Sequence, residues 1–148
     1  YFTPYHDALA AEVDRVRARH GHAVLLDGHS IRAQVPRFFA GRLPDFNLGT
    51  ADGASADPAL ERIASGILAA STPFTSVVNA RFKGGWITRR YGRPGAGVHA
   101  LQLEMAQSAY MDEAPPYRWD ATRAAPLSAV LQRLVGALAA WRPGRGAA

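Results

Sequence analysis

The sequence contains no cysteine. That excludes disulfides, thiolate nucleophiles and cysteine-bound zinc, so any metal must be held by His, Asp or Glu. Lysine is almost absent: of the 17 basic residues only Lys83 is a lysine, and the others are arginines. No apolar run approaches the roughly 18–20 residues a membrane span needs. The longest apolar stretches are Ala23–Leu26 and the helical segment Leu134–Trp141. No serine sits in a G-x-S-x-G elbow, which argues against a serine hydrolase of the α/β type. "GRPGAG" is glycine-rich but lacks the GK[ST] of a phosphate-binding loop. The opening residues show no basic segment followed by an apolar one. A cytoplasmic location fits these absences.

What is present reads as a globular chain with a core. It has 148 residues, 48% of them apolar and 20% charged, in the usual range for a folded domain. The net charge of +5 invites a nucleic-acid reading. The arginines, however, are scattered without the interleaved aromatics that stack bases, and their abundance alongside Ala, Gly and Pro reflects GC-rich codon use. Neither nucleic-acid nor membrane binding is expected.

Pattern along the chain predicts an α/β order. Thr3 and Pro4 suit a helix start, Ala8, Leu9, Val13 and Val16 recur at helical spacing, and Gly21 ends the helix. "HAVLLD" then reads as a buried strand. Residues 30–58 form a long structured loop with a short strand at Phe46–Leu48. Asp57-Pro58 opens a second helix to about Ala70, and "FTSVVNA" reads as a strand. "RFKGGWITRRYGRPGAG" reads as a basic loop or hairpin. "VHALQLEMA" is a strand with Leu101 and Leu103 on one face and Gln102 and Glu104 on the other. A last amphipathic helix is expected from about Pro126 to Trp141.

Three groups could carry chemistry. His29 follows the apolar strand, where α/β folds place their sites. It is either a metal ligand, with Asp27 as its supporting partner, or a turn residue. Glu104 interrupts an apolar strand. It is either solvent-facing or a general base in a pocket, its pKa raised by burial. Arg81, Lys83 and Arg89 lie beside Gly84-Gly85; they either converge on an acidic small molecule or are a solvated basic loop. His6 lies early in the first helix, His20 and His22 flank Gly21, and His99 is placed ahead of the last strand.

"PYHDAL", "LLDGHSI", "PRFFAGRLPDFNLGT", "NARFKGGWITRRYG" and "HALQLEMAQSAYM", in this order, resemble the N-formylglutamate amidohydrolase (deformylase) family over about residues 3 to 113. One departure is Ala80, where the family usually has glycine; alanine there asks the backbone to avoid positive φ. The family is similar in design to zinc carboxypeptidases and aspartoacylase-like deacylases, a phosphorylase/hydrolase-like plan with a mixed β-sheet flanked by helices. The resemblance implies His29 as a metal ligand with Asp27 behind it, Glu104 as the base, and a divalent metal, Zn²⁺ first. Arg81, Lys83 and Arg89 become candidates for the substrate carboxylates. The implied reaction is hydrolysis of N-formyl-L-glutamate to formate and L-glutamate in histidine degradation. The alternatives are a related N-acyl amino acid amidohydrolase, or a catalytically inactive fragment or binding module of the same fold.

The resemblance also implies that residues 1–142 are the C-terminal part of a single amidohydrolase domain and that the sheet is incomplete in this chain. An isolated chain of this length is then expected to bind zinc weakly and to be inactive. Residues 143–148 are expected to form a disordered tail. Oligomeric state is not readable from the sequence.

Overall fold

The computed structural model describes residues 1–144; of the tail expected at 143–148, residues 145–148 lie outside the described residues. Among the described residues four strands form one sheet: β1 (Ala23–Ile31), β2 (Phe46–Gly49), β3 (Ser76–Val78) and β4 (Val98–Ala106). Four α-helices accompany them: α1 (Phe2–His20), α2 (Pro58–Ala69), α3 (Trp86–Tyr91) and α4 (Ala121–Ala140). The sheet order is β1-β4-β2-β3. β1 runs parallel to β4, β2 parallel to β3, and β2 antiparallel to β4, so the sheet is mixed, as expected. The parallel β2 and β3 are joined through α2, the crossover such a pair requires.

Alternation sorts the strands into two faces. One face carries Val24, Leu26, Phe46, Leu48, Leu101 and Leu103. It is covered by Leu60, Ala64 and Leu68 of α2 and by Leu127, Val130, Leu134 and Leu138 of α4, with Trp141 closing one end. On the opposite face Ala23 and Val98, where β1 and β4 begin, pack under Val13 of α1, with Leu9 and Val16 beside it. Farther along, Asp27 and His29 on β1 lie opposite Gln102 and Glu104 on β4. α3 packs against β4 and β1.

Several boundaries differ from the sequence reading. The first helix starts at Phe2 and has no side-chain cap, so Thr3 does not cap it; Gly21 does end it, in the left-handed region at φ 77°. β1 does not stop at Asp27 but continues through Gly28, His29 and Ser30 to Ile31. β4 is equally long and pairs with it from Ala23↔Val98 to Ile31↔Ala106, and this ladder overrides residues that would otherwise favour a turn. Nor is β1 fully buried: as an edge strand it is mostly half-buried, and Gly28 and His29 are exposed. The strand expected over "FTSVVNA" is confined to Ser76–Val78. His99 lies inside β4 rather than ahead of it.

The basic segment is neither simple loop nor hairpin. Trp86–Tyr91 forms a short helix with Thr88 and Tyr91 buried one turn apart, a period hidden by the surrounding glycines. α4 begins at Ala121, ahead of Pro126, because the Asp120 carboxylate accepts from the Thr122 and Arg123 amides at 2.9 and 3.1 Å. Pro126 is carried inside the helix. At the departure from the family motif it is Asn79 that is left-handed (φ 49°), a conformation asparagine tolerates, while Ala80 has no positive φ.

Candidate active site

The polar half of the second face is built by register. His29 is the direct neighbour of Glu104 across the parallel pair, and Asp27 the neighbour of Gln102. On the other side of β4, Asn47 of β2 is the antiparallel partner of Glu104. Asp27, His29, Gln102, Glu104 and Asn47 therefore stand on one face in adjacent rows.

Glu104 is 6% exposed, so the solvent-facing reading of this residue does not hold. Burial pushes its carboxyl above the ordinary carboxylate range; the neighbouring His29 and the Gln102 hydrogen bond pull it down, and Asp27 adds to the rise. Among the described residues, only Gln102 hydrogen-bonds the carboxylate, Nε2 donating to Oε2 at 3.4 Å. His29 Nε2 lies 3.0 Å from Asp27 Oδ1, with Asp27 largely covered and His29 half exposed. This contact leaves Nδ1 of the imidazole for another partner.

Arg81, Lys83 and Arg89 line a cleft of about 270 Å³ together with Phe82, Gly84, Gly85 and Gln102. The cleft exists because Gly49 has no side chain: a Cβ there would collide with the backbone of Lys83 and Gly84. The 82–85 segment can thus cross directly over the β2–β4 pair, with Gly84 at φ 109°. The three cations differ in what holds them. Lys83 forms an exposed ion pair with Asp52 at 3.1 Å. The Arg81 guanidinium sits 4.7 Å from the centre of the Phe39 ring, and Arg89 donates to the Gly84 carbonyl. Neither arginine has a carboxylate partner among the described residues.

Two residues of this face escaped the sequence reading as functional candidates. Gln102 is buried, and its side chain joins the basic segment to Glu104. Asn47 is 1% exposed; its Nδ2 donates to the carbonyls of Pro44 and Glu104, while its Oδ1 has no partner among the described residues. The available signal was the run of polar residues at alternate positions in strands that are otherwise apolar. His6 belongs to a different cleft, of about 310 Å³ between α1 and α3, where it hydrogen-bonds Tyr91 and meets Phe2 and Trp86.

The sequence matches the family model for N-formylglutamate amidohydrolase over residues 1–111, three quarters of the chain. The chain belongs to the N-formylglutamate amidohydrolase family. It is 51% identical over 138 residues to the N-formylglutamate deformylase of Pseudomonas putida, covering 93% of this chain and 52% of that protein. It is 51% identical over 140 residues to the same enzyme of Pseudomonas aeruginosa, covering 95% of this chain and 53% of that one. The crystal structure of N-formylglutamate amidohydrolase from Ralstonia eutropha JMP134 superposes with a TM-score of 0.80 at 25% identity, over 94% of this chain and 52% of that chain. This member of the family thus spans about half the length of the relatives it matches. Among the described residues no helix is long and apolar enough to cross a membrane.

Whether these residues suit a metal can be judged from the donors. Asp27 and His29 offer a carboxylate and an imidazole in contact. No group of three or more His, Asp or Glu able to hold an ion exists among the described residues. A catalytic zinc takes about three protein ligands plus water. The donor set of this chain by itself falls short of that.

Proposed function

We propose that this chain forms part of an enzyme that hydrolyses the formamide of N-formyl-L-glutamate to formate and L-glutamate, a reaction of histidine degradation. The observation that carries the reading is a buried carboxylate, Glu104, next to His29 and Asp27 and joined through Gln102 to a cleft with three cations. The relatives that share half of its residues bear the name of that activity.

Glu104 takes the proton from the attacking water and delivers it to the departing amine. Its raised pKa supports this role, because a base is most effective when its pKa approaches the working pH. Arg81 and Arg89, free of carboxylate partners among the described residues, are the better placed of the three cations to receive the two carboxylates of the substrate. Lys83 would have to leave Asp52 first. A planar guanidinium matches a carboxylate with two parallel hydrogen bonds, which lysine cannot do.

In the manner of the zinc-carboxypeptidase and aspartoacylase plan, His29 would be one ligand of a divalent metal, Zn²⁺ first, with Asp27 orienting the ring; such an ion would polarise the formyl oxygen. The further ligands such a metal needs would have to be supplied in addition to the donors of this cluster. A protein of this arrangement works on a small acidic N-acyl amino acid, consistent with a cytoplasmic metabolic enzyme.

Formate release provides the test. The protein carrying this chain at the relatives' full length should release formate from N-formyl-L-glutamate, lose the activity on chelation and regain it with zinc. The 148-residue chain alone should keep zinc only weakly through dialysis. Tight stoichiometric zinc on the short chain would mean that the ligands are wrongly placed. Failure of the full-length protein to release formate, with release from another N-acyl amino acid, would favour the related amidohydrolase.

A further inference from the structure

We infer that Gln102 is a positioning residue for Glu104, and that it ties the glycine-rich basic segment to the base. The inference rests on the proposed deformylase reading, in which Glu104 is that base.

Gln102 is a buried amide between two different elements. Its Oε1 accepts from the Gly85 backbone N–H at 2.5 Å. A carbonyl oxygen is the only end of the amide that can accept, so this bond fixes which way the group points. The NH₂ end is thereby turned along β4 towards Glu104, whose Oε2 lies 3.4 Å away. A flipped amide would set its NH₂ against the Gly85 N–H, donor against donor, and its oxygen against the carboxylate. The backbone of residue 85 thus decides the orientation of a side chain whose other end touches the base.

Position 85 is itself anchored. It is the N-cap of α3, and its carbonyl accepts from the Arg89 N–H. Lys83 O accepts from the Ala51 N–H at 2.5 Å. Gly49 admits the close passage of the segment over the sheet. The backbone segment that carries Arg81, Lys83 and Arg89 is therefore linked, through the Gly85 N–H and the Gln102 amide, to the Glu104 carboxylate. A substrate held by those cations sits on the segment that aims Gln102. The 3.4 Å contact is long, and such bonds commonly tighten only in the substrate complex.

A double-mutant cycle separates this role from simple packing. Gln102→Met keeps length and volume but has no amide; Gln102→Leu serves if the methionine variant does not fold. In the full-length enzyme with Glu104 intact, either should lower kcat by about tenfold with a smaller change in KM. In the Glu104→Gln background the same substitution should have little further effect on kcat, because the group it positions no longer moves a proton. Equal loss in both backgrounds would show that Gln102 matters only for packing and would overturn the inference. No loss with Glu104 present would overturn it as well. A fully active Glu104→Gln single variant would instead remove Glu104 as the base, and with it the reading on which this role depends.

Discussion

The two faces of β4 differ by one residue in register and by nearly everything in chemistry. Towards α2 and α4 it presents His99, Leu101 and Leu103; towards the other side, Gln102 and Glu104. The leucines are sealed at 0% and 1% exposure. The polar member of that side, His99, accepts the Asp57 N–H at Nδ1 and meets the Trp141 ring edge to face at 4.7 Å, while its Nε2 has no hydrogen-bond partner among the described residues. Across the strand, Glu104 is also buried, and among the described residues only one long hydrogen bond reaches its carboxylate. On the helix-covered side the imbalance falls on a neutral ring packed against Trp141; on the other it falls on a carboxylate in a row of polar side chains. A carboxylate left underpartnered in a buried row weakens the fold and stays available for another molecule.

The strongest way to break this contrast is to remove the charge on the polar side. Glu104→Gln in the full-length enzyme should lower turnover of N-formylglutamate by roughly 10²–10⁴, the usual worth of a general base. Thermal stability should not fall. Near-normal turnover, measured as formate release, would assign Glu104 to structure and erase the difference between the faces.

The helix-covered side should respond in stability rather than in rate. Leu134 is fully buried between the sheet and α2. Leu134→Ala should cost about 2–5 kcal/mol of stability, from lost burial plus the cavity left behind. Turnover of the molecules that remain folded should hardly change. Denaturant unfolding and kinetics on the same preparation check both halves of the statement. A fall in kcat comparable to that of the Glu104 variant would show that the faces are not separable.

The helix-covered side was also the more legible in the sequence. Leu60, Leu101, Leu103 and Leu134 declare their face by spacing alone, and the α/β order follows from the succession of such segments, while the mixed sheet was implied only by the family resemblance. Glu104 and His29 could be singled out as residues, but not as neighbours. Their adjacency depends on the β1–β4 register, a long-range pairing that no local pattern encodes. The extension of β1 through Asp27-Gly28-His29-Ser30 was hidden for the same reason. α3 was missed because six residues between glycines carry too little periodicity to register. The orientation of Gln102 is set by a backbone N–H on another element and has no signature in the sequence.

The smallest expected effect is also the most direct comparison of the two faces, because each buries one titratable group with an opposite bias. Burial raises Glu104 and lowers His99, where Asp57 opposes the shift and His22 reinforces it. For Glu104 the protonated form is the one the fold prefers. Below the unfolded carboxyl's pKa of about 4.3 it is protonated in both states; as pH rises through the raised folded value, stability is lost. For His99 the neutral form is preferred. Above about pH 6.5 it is neutral in both states; as pH falls from there towards the depressed folded value, the unfolded chain takes up a proton that the buried ring refuses, and stability is lost. Glu104→Gln should therefore gain on the unmodified chain as pH rises from acid to neutral. His99→Gln, whatever its constant cost, should gain relative to the unmodified chain as pH falls below about 6.5. Urea unfolding at a series of pH values measures both differences. Slopes of the same sign would mean that the two buried groups are not held in opposite protonation states by the two sides of β4.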